Sequence, residues 1–325
     1  MKRSRSLIWR LGGLLIVAIA CVFVIQRLIA SNVWDGIAGN GPGLIAALAI
    51  GGVVYALSGF LLAEAWLRLL RISGAPKAPR RDSLGIYART QIAKYLPGNV
   101  FHFVGRHISG RGLGIDHGTM LYATWFESVG LISAAAVLAL LGLSIWGGSE
   151  SLAPWMAVGL AILVLCIPFA MAAALPTLTR LLKLAPPTTS RDRGMVEAAL
   201  RLVPSYLLQC LFFASAGILL WLLGRALGGN PPIMIAAFIA ATAGAWIGGF
   251  VVPGAAAGIG VREALLIVAL TAIDVRNAEL IAVSFRAVTL TGDLFFFLMG
   301  LALFRREPEI VAPSPEGPAL LTDRR

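Results

Sequence analysis

From Gly43 to Leu67 the chain carries a single ionisable side chain, Glu64. A bilayer helix needs about 20 mostly apolar residues, and this run exceeds that. No water reaches the hydrocarbon core, so the backbone must satisfy its own hydrogen bonds, which a helix does within one segment. Similar runs recur at about 11–30, 119–146, 154–175, 199–223 and 279–304, making six long spans. Of the 325 residues, 58% are hydrophobic and 13% charged, which leaves almost nothing for a soluble domain. The expected fold is an all-α polytopic membrane protein with a single integral membrane domain, 1–307. Residues 308–325, with Pro313, Pro315 and Pro318, are expected to form a disordered cytoplasmic tail.

The net charge of +11 raises the question of nucleic acid, but its distribution answers against it. Lys and Arg concentrate in 1–10, 68–83, 176–201 and 305–325, whereas the intervening loops 31–42, 147–153, 224–232 and 274–278 hold only Arg225 and Arg276. Positive residues mark cytoplasmic loops, so both termini are expected in the cytoplasm, with the basic margins also attracting anionic headgroups. The first run follows "MKRSRSLIWR" as a secretory signal would. It is longer than a signal core and lacks an A-x-A site, so it reads as a retained anchor. Cys21, Cys166 and Cys210 fall in separate apolar runs and have neither disulfide nor metal spacing.

Between the second and third spans the chain departs from this plan. "SLGIYARTQIAKYL" has apolar residues at helical spacing, then Pro97-Gly98, then "NVFHFVGRHISGRGLGI". Two short half-apolar helices around a Pro-Gly break, leaving from and returning to one side, describe a re-entrant hairpin. The segment 232–274 repeats the device around Pro253-Gly254. Both read P-G-x(7)-R, ending at Arg106 and Arg262, and both reach a similar terminus, "GID" at 114–116 and "AID" at 272–274. Each precedes a long span with an internal charge, Glu127 in one and Arg286 in the other. Because those spans run in opposite directions, the halves, about 1–150 and 151–307, are expected to be inverted-topology repeats: six long spans and two hairpins, about eight helical units. Transporters of this plan bind near mid-membrane at the repeat interface. Counting the second hairpin as two full crossings preserves the same parity.

Ionisable groups in a bilayer are costly and usually face a partner or a cavity. Here they are Glu64, Arg89, Lys94, Arg106, Glu127, Arg262, Glu263, Arg286 and Asp293. Glu64 and Arg68 have the spacing of an intrahelical pair. Arg286 and Asp293 are too far apart along one helix to pair directly. Arg286, Glu127 and Glu263 are the deepest, placed to pair across the repeat interface. Non-helical backbone at membrane depth requires a polar cavity. Free N–H groups at broken helix ends suit an anion, and arginine has a fork that matches phosphate. The candidate translocation residues are therefore Arg106, Glu127, Arg262, Glu263, Arg286 and Asp293, with hairpin tips at Pro97, Gly98, Pro253, Gly254, Gly258 and Gly260. For the arginines, ligand contact and structural pairing both remain open at this point.

His102 and His107 are five apart, on different helix faces, and His117 adds no metal spacing. "GAAAGIG" lacks the strand context and pattern of a phosphate or dinucleotide loop. No metal, cofactor, catalytic constellation or nucleotide-binding motif is expected, and the chain reads as a transporter rather than an enzyme. Its partners would be membrane lipids with anionic headgroups, with a protein partner or homo-oligomer compatible and nucleic acid not expected.

"YLPGNVFHFVGR", and more specifically "VPGAAAGIGVREALL" followed by "SFRAVTLTGDLFFFLMG", resemble the flippase-like integral membrane family typified by the transmembrane region of lysylphosphatidylglycerol synthases. Pro253, Gly254, Gly258, Gly260, Glu263 and Arg286 match that family's second motif, and the resemblance spans roughly 7–305. It departs at Ala255–Ala257, where glycines are usual, and at Glu127-Ser128, where the family often has Glu-Arg. These 325 residues have no room for the synthase's transferase domain, so lipid aminoacylation is not expected. The resemblance implies a lipid translocase for an anionic or aminoacylated phospholipid, or a polyprenyl-phosphate carrier, in a bacterial cytoplasmic membrane. The alternatives are a membrane-embedded lipid or glycolipid transferase and a non-transporting envelope assembly partner.

Overall fold

Four of the apolar runs form helices long and apolar enough to cross a membrane: Gly43–Ser73, His117–Ile145, Ala199–Ala226 and Ala278–Ala302. The structure, a computed structural model, describes residues 41–96, 100–146, 154–182, 195–228, 234–252 and 256–303, with scattered positions between 22 and 29. Among them no strand occurs. Most of the expected span 11–30, the tips Pro97, Gly98, Pro253 and Gly254, and the tail 308–325 lie outside the described residues.

In chain order the helices are α1 (Gly41–Ser73), α2 (Arg80–Gln91), α3 (Phe101–Gly112), α4 (His117–Trp146), α5 (Pro154–Leu165), α6 (Ile167–Leu182), α7 (Met195–Ala226), α8 (Ile235–Val251), α9 (Val261–Ala272) and α10 (Ala278–Leu303). Short 3-10 turns follow α2 at Ile92–Tyr95 and precede α9 at Ala256–Gly258. The outward faces are apolar. On α10, Leu290, Leu294, Leu298 and Leu301 form an exposed stripe at helical spacing, while Asp293 is buried. Apolar outside and charged inside is the reverse of a water-soluble bundle, and it is what a hydrocarbon solvent selects. The architecture is that of an integral membrane protein.

The expected span 154–175 falls on α5 and α6, which meet at Cys166. The helical ladder runs on through the junction, the Cys166 N–H donating to the Ile162 carbonyl at 3.0 Å and the Ala170 N–H to the Cys166 carbonyl at 2.9 Å. Pro168 supplies no N–H for the carbonyl four residues back, so one rung of that ladder is missing.

Helices α2, α3 and α9 are 12 residues each. At ~1.5 Å per residue they reach about 18 Å, short of a ~30 Å hydrocarbon core. Both α3 and α9 stop by the same device. In α3 the N–H groups of Gly114 and Ile115 donate back to Arg111 and Gly110, with Gly114 at φ 76°. In α9 those of Asp274 and Val275 donate to Thr271 and Leu270, with Asp274 at φ 53°. This is the Schellman ending, which satisfies carbonyls a helix end leaves orphaned. Measured from these equal helices, however, Arg106 is the sixth residue of α3 and Arg262 the second of α9. The P-G-x(7)-R spacing therefore does not put the two arginines at equivalent positions along their helices.

Helix α1 packs on α4, α7 and α10, and α8 packs on α4, α7 and α9. Missing Cβ atoms allow the closest crossings. A Cβ on Gly142 would strike the Ala236 carbonyl of α8, and one on Gly217 would strike the Ile239 backbone. In lipid, where burial supplies no hydrophobic force, such contact surfaces hold helices together.

Candidate functional site

Seven buried or half-buried charged side chains converge around Tyr55 of α1. Arg106 and Glu127 are each only 2% exposed, and Arg106 Nη1 lies 2.6 Å from both Glu127 carboxylate oxygens. Tyr87 O–H donates to Glu127 Oε1 at 2.8 Å, and the guanidinium lies 4.2 Å from the centre of the Tyr87 ring. Gln209 of α7 donates to the Glu127 carbonyl at 3.3 Å.

Glu263 lies at the start of α9. Its Oε2 accepts from the Gly260 N–H at 2.6 Å, and its Oε1 lies 3.1 Å from Arg286 Nε. The helix N-terminus that the sequence offered to an anion is thus occupied by the chain's own carboxylate. Arg286 also donates from Nη1 to the Ala257 carbonyl at 3.3 Å, holding the turn before α9. The turn needs that support: Gly258 and Gly260 have φ of 73° and 81°, and Ala257 has φ of 48°, in the left-handed region that disfavours a Cβ.

Asp293 of α10 accepts from Lys94 Nζ at 2.9 Å and from Tyr95 O–H at 2.5 Å. It therefore ties the 3-10 turn that follows α2 to α10. The two 3-10 turns also touch one another.

The sequence expectation that Arg286, Glu127 and Glu263 pair with one another is met in part. Glu263 pairs with Arg286, but Glu127 meets neither and closes instead on Arg106, from the adjacent short helix. Besides the packing of α2 on α10, Lys94 and Tyr95 on Asp293 join the first hairpin region to the last long helix. Glu64 does pair with Arg68, at 3.4 Å, and with Arg80 at 3.0 Å. Tyr55, Tyr87, Tyr95, Gln209 and Trp246 complete the site and were not among the sequence candidates. Aromatic residues in apolar helices have the pattern of ordinary core, and only the charged neighbours reveal their role.

Arg262 is the exception. Its stem lies against Gly249 and Gly258, its guanidinium is 5.8 Å from the Trp246 ring centre, and its Nε is buried without a hydrogen-bond partner. Among the described residues no carboxylate lies within ion-pair distance of it. Arg286 Nη2 is likewise buried and unpartnered. Counted around the cavities, four cations (Lys94, Arg106, Arg262, Arg286) face three carboxylates (Glu127, Glu263, Asp293).

Two cavities of about 40 Å³ each meet here, both lined by Tyr55, Phe212, Trp246 and Arg262. One holds Glu263 and Arg286; the other holds Lys94, Arg106 and Glu127. A water needs roughly 10–15 Å³ by this measure, so each cavity admits about three oxygen-sized groups.

The histidines stand apart. His102 is buried against Phe103 with Nδ1 unpartnered, and His107 meets His117 at 2.8 Å on the exposed end of α3. Among the described residues no three metal-ligating side chains gather. No family model and no curated protein matches the chain.

Proposed function

We propose that the protein is a lipid translocase, carrying an anionic or aminoacylated phospholipid or a polyprenyl-phosphate-linked lipid between leaflets. The observation that carries this reading is the unmatched cation. A half-buried cation without an ion-pair partner is costly, so Arg262, lying among small cavities inside an apolar bundle, invites an anion from outside the chain. An anion that must be met inside the membrane is most simply a lipid headgroup. The short helices around the two Pro-Gly breaks support the re-entrant, inverted-repeat plan, and the resemblance to the flippase-like family points the same way. In this reading the basic margins and both termini are cytoplasmic, in a bacterial cytoplasmic membrane. Cavities of about 40 Å³ are smaller than a headgroup, so passage requires the short helices to part from α1 and α10.

The test is reconstitution. Purified protein in liposomes should speed transbilayer movement of a headgroup-labelled anionic lipid well above protein-free vesicles, and Arg286→Gln should remove the acceleration. Movement equal to that of empty vesicles for phosphatidylglycerol, its aminoacylated form and a polyprenyl phosphate would refute the proposal. A covalently altered lipid in the mass spectrum would make the protein a transferase instead.

A further inference from the structure

We propose that Arg262 and Arg286 bind a single phosphate group belonging to a lipid, whose hydrocarbon chain lies in the apolar groove between α4, α8 and α9. This rests on the translocase reading for its lipid class and narrows it.

Three observations meet at this place. The first is donor supply: Arg262 Nε and Arg286 Nη2 are both buried and unpartnered, and both residues line the same cavity. The two guanidinium groups repel, the single carboxylate near both, Glu263, forms an ion pair only with Arg286, and a phosphate oxygen set suits the planar forks left open. Glu263 does not fill that role, since its two oxygens are already engaged by Gly260 and Arg286 Nε.

The second is size and charge. Room for about three oxygen-sized groups admits the phosphorus and two non-ester oxygens of one phosphodiester and is too small for a pyrophosphate. One surplus cation is neutralised by the single negative charge of a phosphodiester. A headgroup with an added amine would bring back the unmatched positive charge, so the site selects against aminoacylated lipids.

The third is the groove. It has a volume of about 400 Å³ and is lined by small and apolar residues, among them Gly142, Ala240, Gly244 and Ala269. Leu143, Leu265 and Val268 form its exposed rim, so it opens towards the lipid-facing surface. Ala245 lines both the groove and the arginine cavity, so the two meet across one small side chain. An amphiphile with a phosphate at one end and a hydrocarbon chain at the other matches that junction of charge and apolar surface.

The full chain, purified in a neutral detergent, is titrated with dioleoylphosphatidylglycerol and read by native mass spectrometry, and separately with sodium phosphate at constant ionic strength and read by thermal shift. One phosphatidylglycerol should bind per protein. Arg262→Gln should weaken it at least tenfold and Arg262→Lys less, while Arg201→Gln, the same charge change on an exposed pair with Glu197, should leave it unaltered. Because Arg262 has no carboxylate to strand, Arg262→Gln should not lower the melting temperature, whereas a structural arginine would. A Cβ on Gly244 meets nothing within 4 Å, so Gly244→Leu fills the groove without a clash. It should weaken phosphatidylglycerol and spare phosphate.

Equal binding by Arg262→Gln and wild type, equal affinity for lysylphosphatidylglycerol, or a Gly244→Leu variant that binds lipid normally would each overturn the proposal. Phosphate binding without lipid binding would assign the arginines to a free anion and overturn the lipid part. Tight, Arg262-dependent lipid binding without transbilayer movement would keep this site while removing the translocase reading. Movement indifferent to Arg262→Gln would do the opposite.

Discussion

Glu127→Gln is the substitution that most directly tests how the interior is held. The change keeps the size of the side chain and an oxygen that can accept from Tyr87, but it removes the charge opposite Arg106. Arg106 is 2% exposed, so bulk solvent does not replace the charge of the lost carboxylate. Breaking a buried ion pair from one side costs about 3–5 kcal/mol, because the survivor is left as an uncompensated charge. At about 1.4 kcal/mol per factor of ten, the folding constant falls by at least two powers of ten. Arg106→Met should cost a similar amount, since it strands Glu127 with only Tyr87. The pair removed together, Arg106→Met with Glu127→Gln, should lie within about 2 kcal/mol of wild type, since replacing both members of a buried pair is often nearly neutral. The expected coupling is therefore at least about 4 kcal/mol. Reversible unfolding in mixed micelles, followed by far-ultraviolet circular dichroism, measures all four proteins. Additive losses in the double variant, or a Glu127→Gln loss below about 1 kcal/mol, would refute the claim that these residues stabilise chiefly by compensating one another.

Other perturbations have distinct readouts. Gly217→Ala drives a Cβ into the Ile239 backbone and should destabilise the α7–α8 contact by about 1–3 kcal/mol in the same unfolding assay. Asp293→Asn leaves Lys94 without its carboxylate; hydrogen exchange across Ile92–Tyr95 should speed at least tenfold while α10 stays protected. Asp116 caps α4 by accepting from the Thr119 N–H at 3.1 Å and from the Thr119 hydroxyl, so Asp116→Ala should cost about 1 kcal/mol. Partial burial raises its carboxyl, but the Thr119 hydroxyl and the N–H groups of Thr119 and Gly118 outweigh this and hold it below the usual range. The stabilisation it contributes is thus present above the unfolded carboxylate value, about 3.9, and lost as pH falls through the lower folded value. Acid titration of wild type against Asp116→Ala should show the two stabilities converging on the acid side.

Much of the fold was legible because bilayer thickness constrains sequence more tightly than soluble packing does. The runs at 119–146 and 279–304 match α4 and α10 to within two residues. Helix α1 runs to Ser73, beyond the expected Leu67, because Arg68 and Arg71 extend an existing helix past its apolar part at no cost to its backbone. The charged residues were legible as a set, since an ionisable group in an apolar run is conspicuous. Their partners were not. Arg106 and Arg262 share a motif, yet one is sealed by a carboxylate and the other has none, because pairing depends on where helices cross and on register along them. Spacing along the chain carries neither quantity. The junction of α5 and α6 at Cys166 was hidden for a different reason: one proline does little to the hydropathy of an otherwise apolar run.

Ala257 bears on how such a site changes over evolutionary time. The turn before α9 is held through the Ala257 carbonyl, which accepts from Arg286, rather than through any side chain hung from the turn. An anchor on the main chain is indifferent to residue type, so an alanine is accommodated there for roughly 1–2 kcal/mol of backbone strain. Arg286 and Glu263 have no such latitude, since each is engaged through its side chain. At position 257 the side chain is the expendable part of the turn, whereas Gly258 and Gly260 are tied to their left-handed backbone and the two charged residues to the partners they brace.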